Sequence, residues 1–110
     1  MIGILTEKPS AAKNFAAALH AKKTGPNYKG NFEGSDLIIV HSYGHLFGLV
    51  YPRYQVVKEK EAQYASWNIQ CLPWDDKDIL WKKAPLPKTK EAIGNIKKTL
   101  ENCSEIIIAT

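Results

Sequence analysis

An apolar run, Ile2 to Leu5, gives way within two residues to Glu7-Lys8-Pro9-Ser10, after which Ala12, Phe15, Ala18 and Leu19 recur at helical spacing. The chain therefore opens as a short buried strand over Ile2–Thr6, a sharp corner, and a helix from about Pro9 to Ala21. Either Ser10 caps that helix, or Pro9 and Ser10 together form its opening turn. Burial of Phe15 and Leu19, at roughly 1.5–3 kcal/mol each, is expected to fix it on a sheet. The corner holds a carboxylate and an ammonium side by side. In open α/β sheets ligands bind at such corners, beyond the carboxyl ends of the strands. The helix start adds unpaired N–H groups that suit a phosphate. A bare carboxylate repels phosphate, so Glu7 needs a different role, either moving a proton or holding a cation that bridges to the phosphate.

Lys22 to Asn27 reads as a polar stop with breaker residues. A hairpin follows, with Tyr28–Glu33 as its first strand, Gly34-Ser35-Asp36 as the turn and Leu37–Ser42 as the second strand. Leu37-Ile38-Ile39-Val40 is continuously apolar, the pattern of a strand covered on both faces. The chain then leaves the sheet through Tyr43-Gly44-His45-Leu46-Phe47-Gly48, whose two glycines suggest unusual torsions or close approach. His45 can contact phosphate or carry a proton, although such a histidine more often bonds loop carbonyls. His20 and His41 lack partner spacing and read as incidental.

Residues 49–87 are the least regular part, cut by Pro52, Pro73, Pro85 and Pro87, with a short helix suggested over Lys58–Tyr64. Tyr51, Tyr54, Tyr64, Trp67, Trp74 and Trp81 either form a stacking platform for single strands or pin this loop in place; packing is the favoured role, above all for Trp67. Asp75-Asp76-Lys77-Asp78 reads as a solvated turn and not a metal site. Thr89 can cap a helix to about Asn102, with Ile93, Ile96 and Leu100 on one face. Glu105–Ala109 then reads as a buried parallel strand, reached by a crossover into the sheet of the first strand.

Glu7-Lys8-Pro9-Ser10 between an apolar strand and an alanine-rich helix resembles the opening of the Toprim domain of type IA DNA topoisomerases, closest to the topoisomerase III branch. Gly44-His45-Leu46 after a strand is a second match, and Tyr64, Trp67-Asn68 and Leu72-Pro73 are a third, in the family's order. The resemblance covers essentially the whole chain. It implies an α/β fold, Toprim and Rossmann-like, with a mostly parallel sheet flanked by helices and truncated at its C-terminal end. Residues 1–110 would be the N-terminal part of that domain, within a longer enzyme. The resemblance further implies Glu7 and Lys8 as catalytic residues, with Lys8, Ser10 and His45 on nucleic acid. Glu7 would lie beside magnesium, whose remaining ligands come after Thr110. In the parent a tyrosine from another domain breaks and rejoins DNA strands, expected to be single-stranded at the site of attack, through a tyrosine–phosphate intermediate. An ordinary glutamate is ionised at neutral pH, and neighbouring carboxylates are one means of keeping it protonated. The chain by itself is therefore expected to be inactive, and an open edge at Ile106–Ile108 to favour self-association. The alternatives are a Toprim nuclease or primase, and a non-catalytic nucleic-acid-binding module.

Composition narrows this only slightly. A chain of 110 residues with 45% hydrophobic content suits one domain with a real core. No apolar run approaches the ~18 residues of a membrane span, and no secretion signal is visible. Cys71 and Cys103 suggest neither a disulfide framework nor a zinc site, in keeping with a cytoplasmic protein. The net charge is +4, and every basic residue except Arg53 is a lysine. Point charges of that kind favour sequence-tolerant contact with a phosphate backbone over base readout.

Overall fold

The computed structural model describes residues 1–66 and 69–110. Trp67 and Asn68, two of the five residues of the third motif, lie outside the described residues. The chain divides into two compact units, residues 1–46 with 86–110, and residues 47–85.

The first unit is a mixed, mostly parallel sheet with a helix on each face. Strand β1 (Ile2–Thr6) lies between β4 (Ser35–His41) and β7 (Glu105–Ala109), both parallel to it. Strands β3 (Asn27–Phe32) and β2 (Lys22–Thr24) continue antiparallel beyond β4, giving the order β2-β3-β4-β1-β7. The apolar run Leu37–Val40 is buried on both sides, as its composition requires. Leu37 and Ile39 join Ile4 against helix α1 (Pro9–Ala18), while Ile38 and Val40 meet Ile96 of helix α2 (Lys90–Leu100).

Several expected boundaries move, each for a local reason. The β3–β4 turn is two residues, Glu33 and Gly34, so Ser35 and Asp36 join the strand. Both turn residues have positive φ, which matches the twist of the paired strands, and the Asn31 side chain accepts from Gly34 N. Lys22–Thr24 is a strand and not a simple stop, because Gly25-Pro26 turns it back on β3. Its exposed lysines suit a sheet edge. Helix α1 ends at Ala18, short of Ala21, because His20 adopts a left-handed conformation at φ 53°. Ala21 N bonds Ala16 O and His20 N faces Ala17 O, the paired closure that ends many helices. Its buried residues are Ala12 and Ala16, whose small side chains let the helix approach the sheet; Phe15 is 38% exposed and Leu19 half-buried.

Helix α2 presents Ile93, Ile96 and Leu100 as expected but stops before Asn102. Thr89 precedes it without capping it; its Oγ1 lies 2.8 Å from Leu86 O and 2.9 Å from Leu46 O. Strand β7 pairs with β1 as anticipated, yet Ile106, Ile107 and Ile108 are exposed, not buried, because β7 is the outer strand of the sheet. No helix among the described residues is long and apolar enough to cross a membrane.

The second unit carries a two-stranded antiparallel ladder, β5 (Phe47–Leu49) with β6 (Lys83–Pro85). Gln55 organises the chain beside it. Its amide nitrogen lies 2.8 Å from Lys82 O and 3.2 Å from Val50 O, and its amide oxygen accepts from Lys82 N at 2.6 Å. A side chain thus does what a third strand would do. The expected helix over Lys58–Tyr64 is a 3-10 turn at Lys58–Lys60 followed by single hydrogen-bonded turns. Tyr64 is buried in a packing role, whereas Tyr51 and Trp81 are largely exposed. Asp76–Asp78 is a turn, but the Asp78 carboxylate is not simply solvated: it takes hydrogen bonds from Lys60 Nζ at 2.6 Å and Tyr64 Oη at 2.7 Å.

This packing has two consequences for stability. A Cβ on Gly3 would lie 2.6 Å from Leu100 Cδ2 and 2.9 Å from Cys103 Sγ, so Gly3→Ala should cost about 1–3 kcal/mol, read as a lower Tm. In the second unit the Asp78 carboxyl is held below the usual carboxylate range, first by the Lys60 hydrogen bond and then by that of Tyr64. Lys60 and Tyr64 are raised, each chiefly by its hydrogen bond to Asp78. The lowered acid stabilises the fold above about pH 4 and loses that effect as pH falls through its folded value. The raised groups stabilise below about pH 10 and lose the effect as pH rises through theirs. All three tryptophans lie in residues 47–85, so their fluorescence reports this unit. Thermal stability followed that way should be level between about pH 5 and 9 and fall on both sides, with Asp78→Asn flattening the acid side.

Candidate active site at the carboxyl ends of the central strands

Because β1, β4 and β7 are parallel, their carboxyl ends share one rim. Thr6 is level with His41 on one side and Ala109 on the other, so Glu7, Ser42 and Thr110 are each the next residue out. Thr6 is fully buried, its Oγ1 3.3 Å from Val40 O and 3.4 Å from Lys8 O. Ser42 N donates to Thr6 O at 3.0 Å, carrying the β4–β1 pairing one step beyond the strands. The buried Ser42 Oγ lies 2.6 Å from Glu7 O and 3.0 Å from Gly44 O, and Gly44 N donates to Glu7 O at 3.0 Å. The Glu7 carbonyl is thereby gripped by the segment that follows β4. Gly44 holds φ 95° with open space around the position of a Cβ, so torsion and not crowding selects glycine there.

This clamp places Glu7 and His45, both exposed, on the wall of one cavity of about 450 Å³ together with Ser42, Gly44 and Thr110. Lys8 and Ser10 lie on the exposed start of α1 and are not among the residues lining it. Lys8 is the N-cap, extended at φ −149° and ψ 160°, with Pro9 in the first turn; its carbonyl accepts from Ala12 N. The N-cap makes no side-chain cap bond, so Ser10 begins the helix without capping it. With no acidic residue in that first turn, its free amides favour an anion beside Lys8.

Ser42 was not singled out by sequence reading. Its signal is a serine at the end of an apolar run, immediately before the Tyr43-Gly44 exit. His41 is likewise more than incidental. Its Nδ1 lies 3.2 Å from Ser42 O, and its ring meets Tyr43 edge-on at 5.0 Å.

Magnesium takes six oxygens, usually one or two carboxylates with substrate phosphates and water. Glu7 offers one such carboxylate at an open rim. Among the described residues no three of His, Cys, Asp or Glu gather to hold an ion. Glu7 is the one acidic side chain among the described residues lining this rim, so the residues that line it do not by themselves form a complete magnesium cage.

The chain is similar to three proteins called DNA topoisomerase 3. It is 32% identical over 109 residues to that of Bacillus thuringiensis (strain Al Hakam), 31% to that of Staphylococcus epidermidis and 28% to that of Bacillus subtilis. Each similarity covers 97% of this chain and 14% of the relative, so the chain spans a small part of the length of those proteins. Residues 3–110 match the Toprim domain, and the chain belongs to the Toprim family.

Proposed function

We propose that this chain is the N-terminal part of the Toprim domain of a cytoplasmic type IA DNA topoisomerase of the topoisomerase III kind. It would supply the acid–base group and the phosphate-binding corner for breaking and rejoining single DNA strands. The observation that supports this reading is the gripped Glu7 carbonyl, which holds the Glu7 backbone at the common end of three parallel strands, on the wall of a cavity that His45 also lines.

In the full-length protein, a tyrosine from elsewhere attacks a DNA phosphodiester. Its phenolic oxygen releases its proton to solvent and bonds to phosphorus, and the bond from phosphorus to the 3′ oxygen breaks. The protonated Glu7 carboxyl delivers its proton to that departing oxygen; on resealing, the carboxylate takes it back. Lys8 holds the phosphate and offsets charge developing on its free oxygens. Ser10 and His45 contact neighbouring phosphates. Bound magnesium would neutralise phosphate charge nearby, with Glu7 beside it.

The catalytic test is made on both forms of the protein. The 110-residue chain should leave single-stranded DNA uncut with or without magnesium. In the full-length parent, Glu7→Gln should lower cleavage about 10²–10⁴-fold. Lys8→Ala should lower it about 10²–10³-fold. Cleavage unaffected by Glu7→Gln would leave only a non-catalytic binding module, and cleavage by the chain alone would remove the shared-site reading. The exposed isoleucines of β7 also support self-association of the 110-residue chain. Light scattering at high concentration should then give a mass above that of the monomer, and a monomer mass refutes the association.

A further inference from the structure

We propose that Tyr43 and the cavity beside it form a base-stacking subsite for single-stranded DNA, an inference that rests on the DNA reading above. Tyr43 is 73% exposed, yet it is not loose. Its ring meets His41 at an interplanar angle of 89°, and its neighbours in the chain are tied down. Ser42 is bonded to the end of β1, and Gly44 N is bonded to Glu7 O. An aromatic face held in solvent by an anchored backbone has little ordering left to lose when a ligand stacks on it.

The segment alternates between two hollows. Ser42 and Gly44 border the cavity that holds Glu7 and His45. His41 and Tyr43 border a second cavity of about 320 Å³, with Pro26, Lys88, Glu91 and Asn95. Residues 41–44 thus border the two in alternation, so that a strand with a phosphate at the first would have a neighbouring base to offer the second. The charges of the second cavity decide which part of a nucleotide it takes. Glu91 offsets Lys88 within it, which disfavours a phosphate in the hollow itself. An uncharged, planar base suits the remaining surface: the Tyr43 ring, Pro26, and the Asn95 amide, which donates to Asn27 Oδ1 at 3.2 Å. Lys88, on the border, then serves a flanking phosphate. Stacking of this kind accepts any base.

The test is fluorescence anisotropy of a labelled oligothymidine of about 12 nucleotides with the 110-residue chain, across a salt series. Tyr43→Ala should weaken binding about tenfold with the salt slope unchanged, while Tyr43→Phe should bind like the wild type. Lys88→Ala should lower the salt slope by about 0.7. An abasic strand of equal length should bind the wild type and Tyr43→Ala alike. The subsite is refuted if Tyr43→Ala binds normally while Lys8→Ala is weakened, a result that leaves the DNA reading standing. It is equally refuted, whether or not Tyr43→Ala folds, if the wild type holds the abasic strand as tightly as oligothymidine. If the wild type binds neither strand, the DNA reading falls and takes the subsite with it.

Discussion

The register of β1 is the constraint on which the functional end of the first unit depends. Paired in parallel on both sides, β1 brings Thr6 level with His41 and Ala109 and so fixes what can lie one residue further out. A slip of one residue would reverse the faces of the strand. It would take Ile4, now packed against Ala12 and Ala16, off the α1 face of the sheet and break the Ser42–Thr6 bond. Core packing and site geometry therefore enforce the same alignment. The carboxylate at Glu7 needs no core packing of its own, because its backbone is positioned by bonds to Ser42 and Gly44.

Features that the sequence made legible are those decided by residue type alone. Leu37–Val40 announces a strand buried on both faces because four adjacent apolar side chains cannot all be hidden otherwise. Glu7-Lys8-Pro9 announces a strand-to-helix corner because proline tolerates a first helical turn and little beyond it. Features settled by neighbours were not legible. Ile106–Ile108 is as apolar as Leu37–Val40, but burial depends on what lies outside the strand, and β7 is the outer strand here. Phe15 was expected to anchor α1 on grounds of size, whereas closeness of approach selected the alanines. Residues 47–85 were the least readable, since Gln55 replaces a strand there through side-chain bonds that leave no periodic trace. At the rim, Glu7 and His45 were visible from their motifs, but Ser42 was not, because a clamp on a neighbour's carbonyl has no spacing rule.

The charge of the chain explains less of the site than its geometry does. A net charge of +4 carried almost wholly by lysines favours any polyanion and is screened within about 8 Å at physiological salt. Such a field would gather a polyanion but could not set which of its phosphates faces Glu7. Under the proposed function, placement to within a bond length has to come from short, unscreened contacts, for which the open amides at the start of α1, the cavity wall of Ser42 and Gly44, and the proposed stacking face of Tyr43 are the candidates. A fixed main chain combined with exposed side chains suits that division. The backbone of Glu7 stays where the sheet puts it, while its carboxyl group is exposed at the rim, the arrangement that the proposed acid–base role requires.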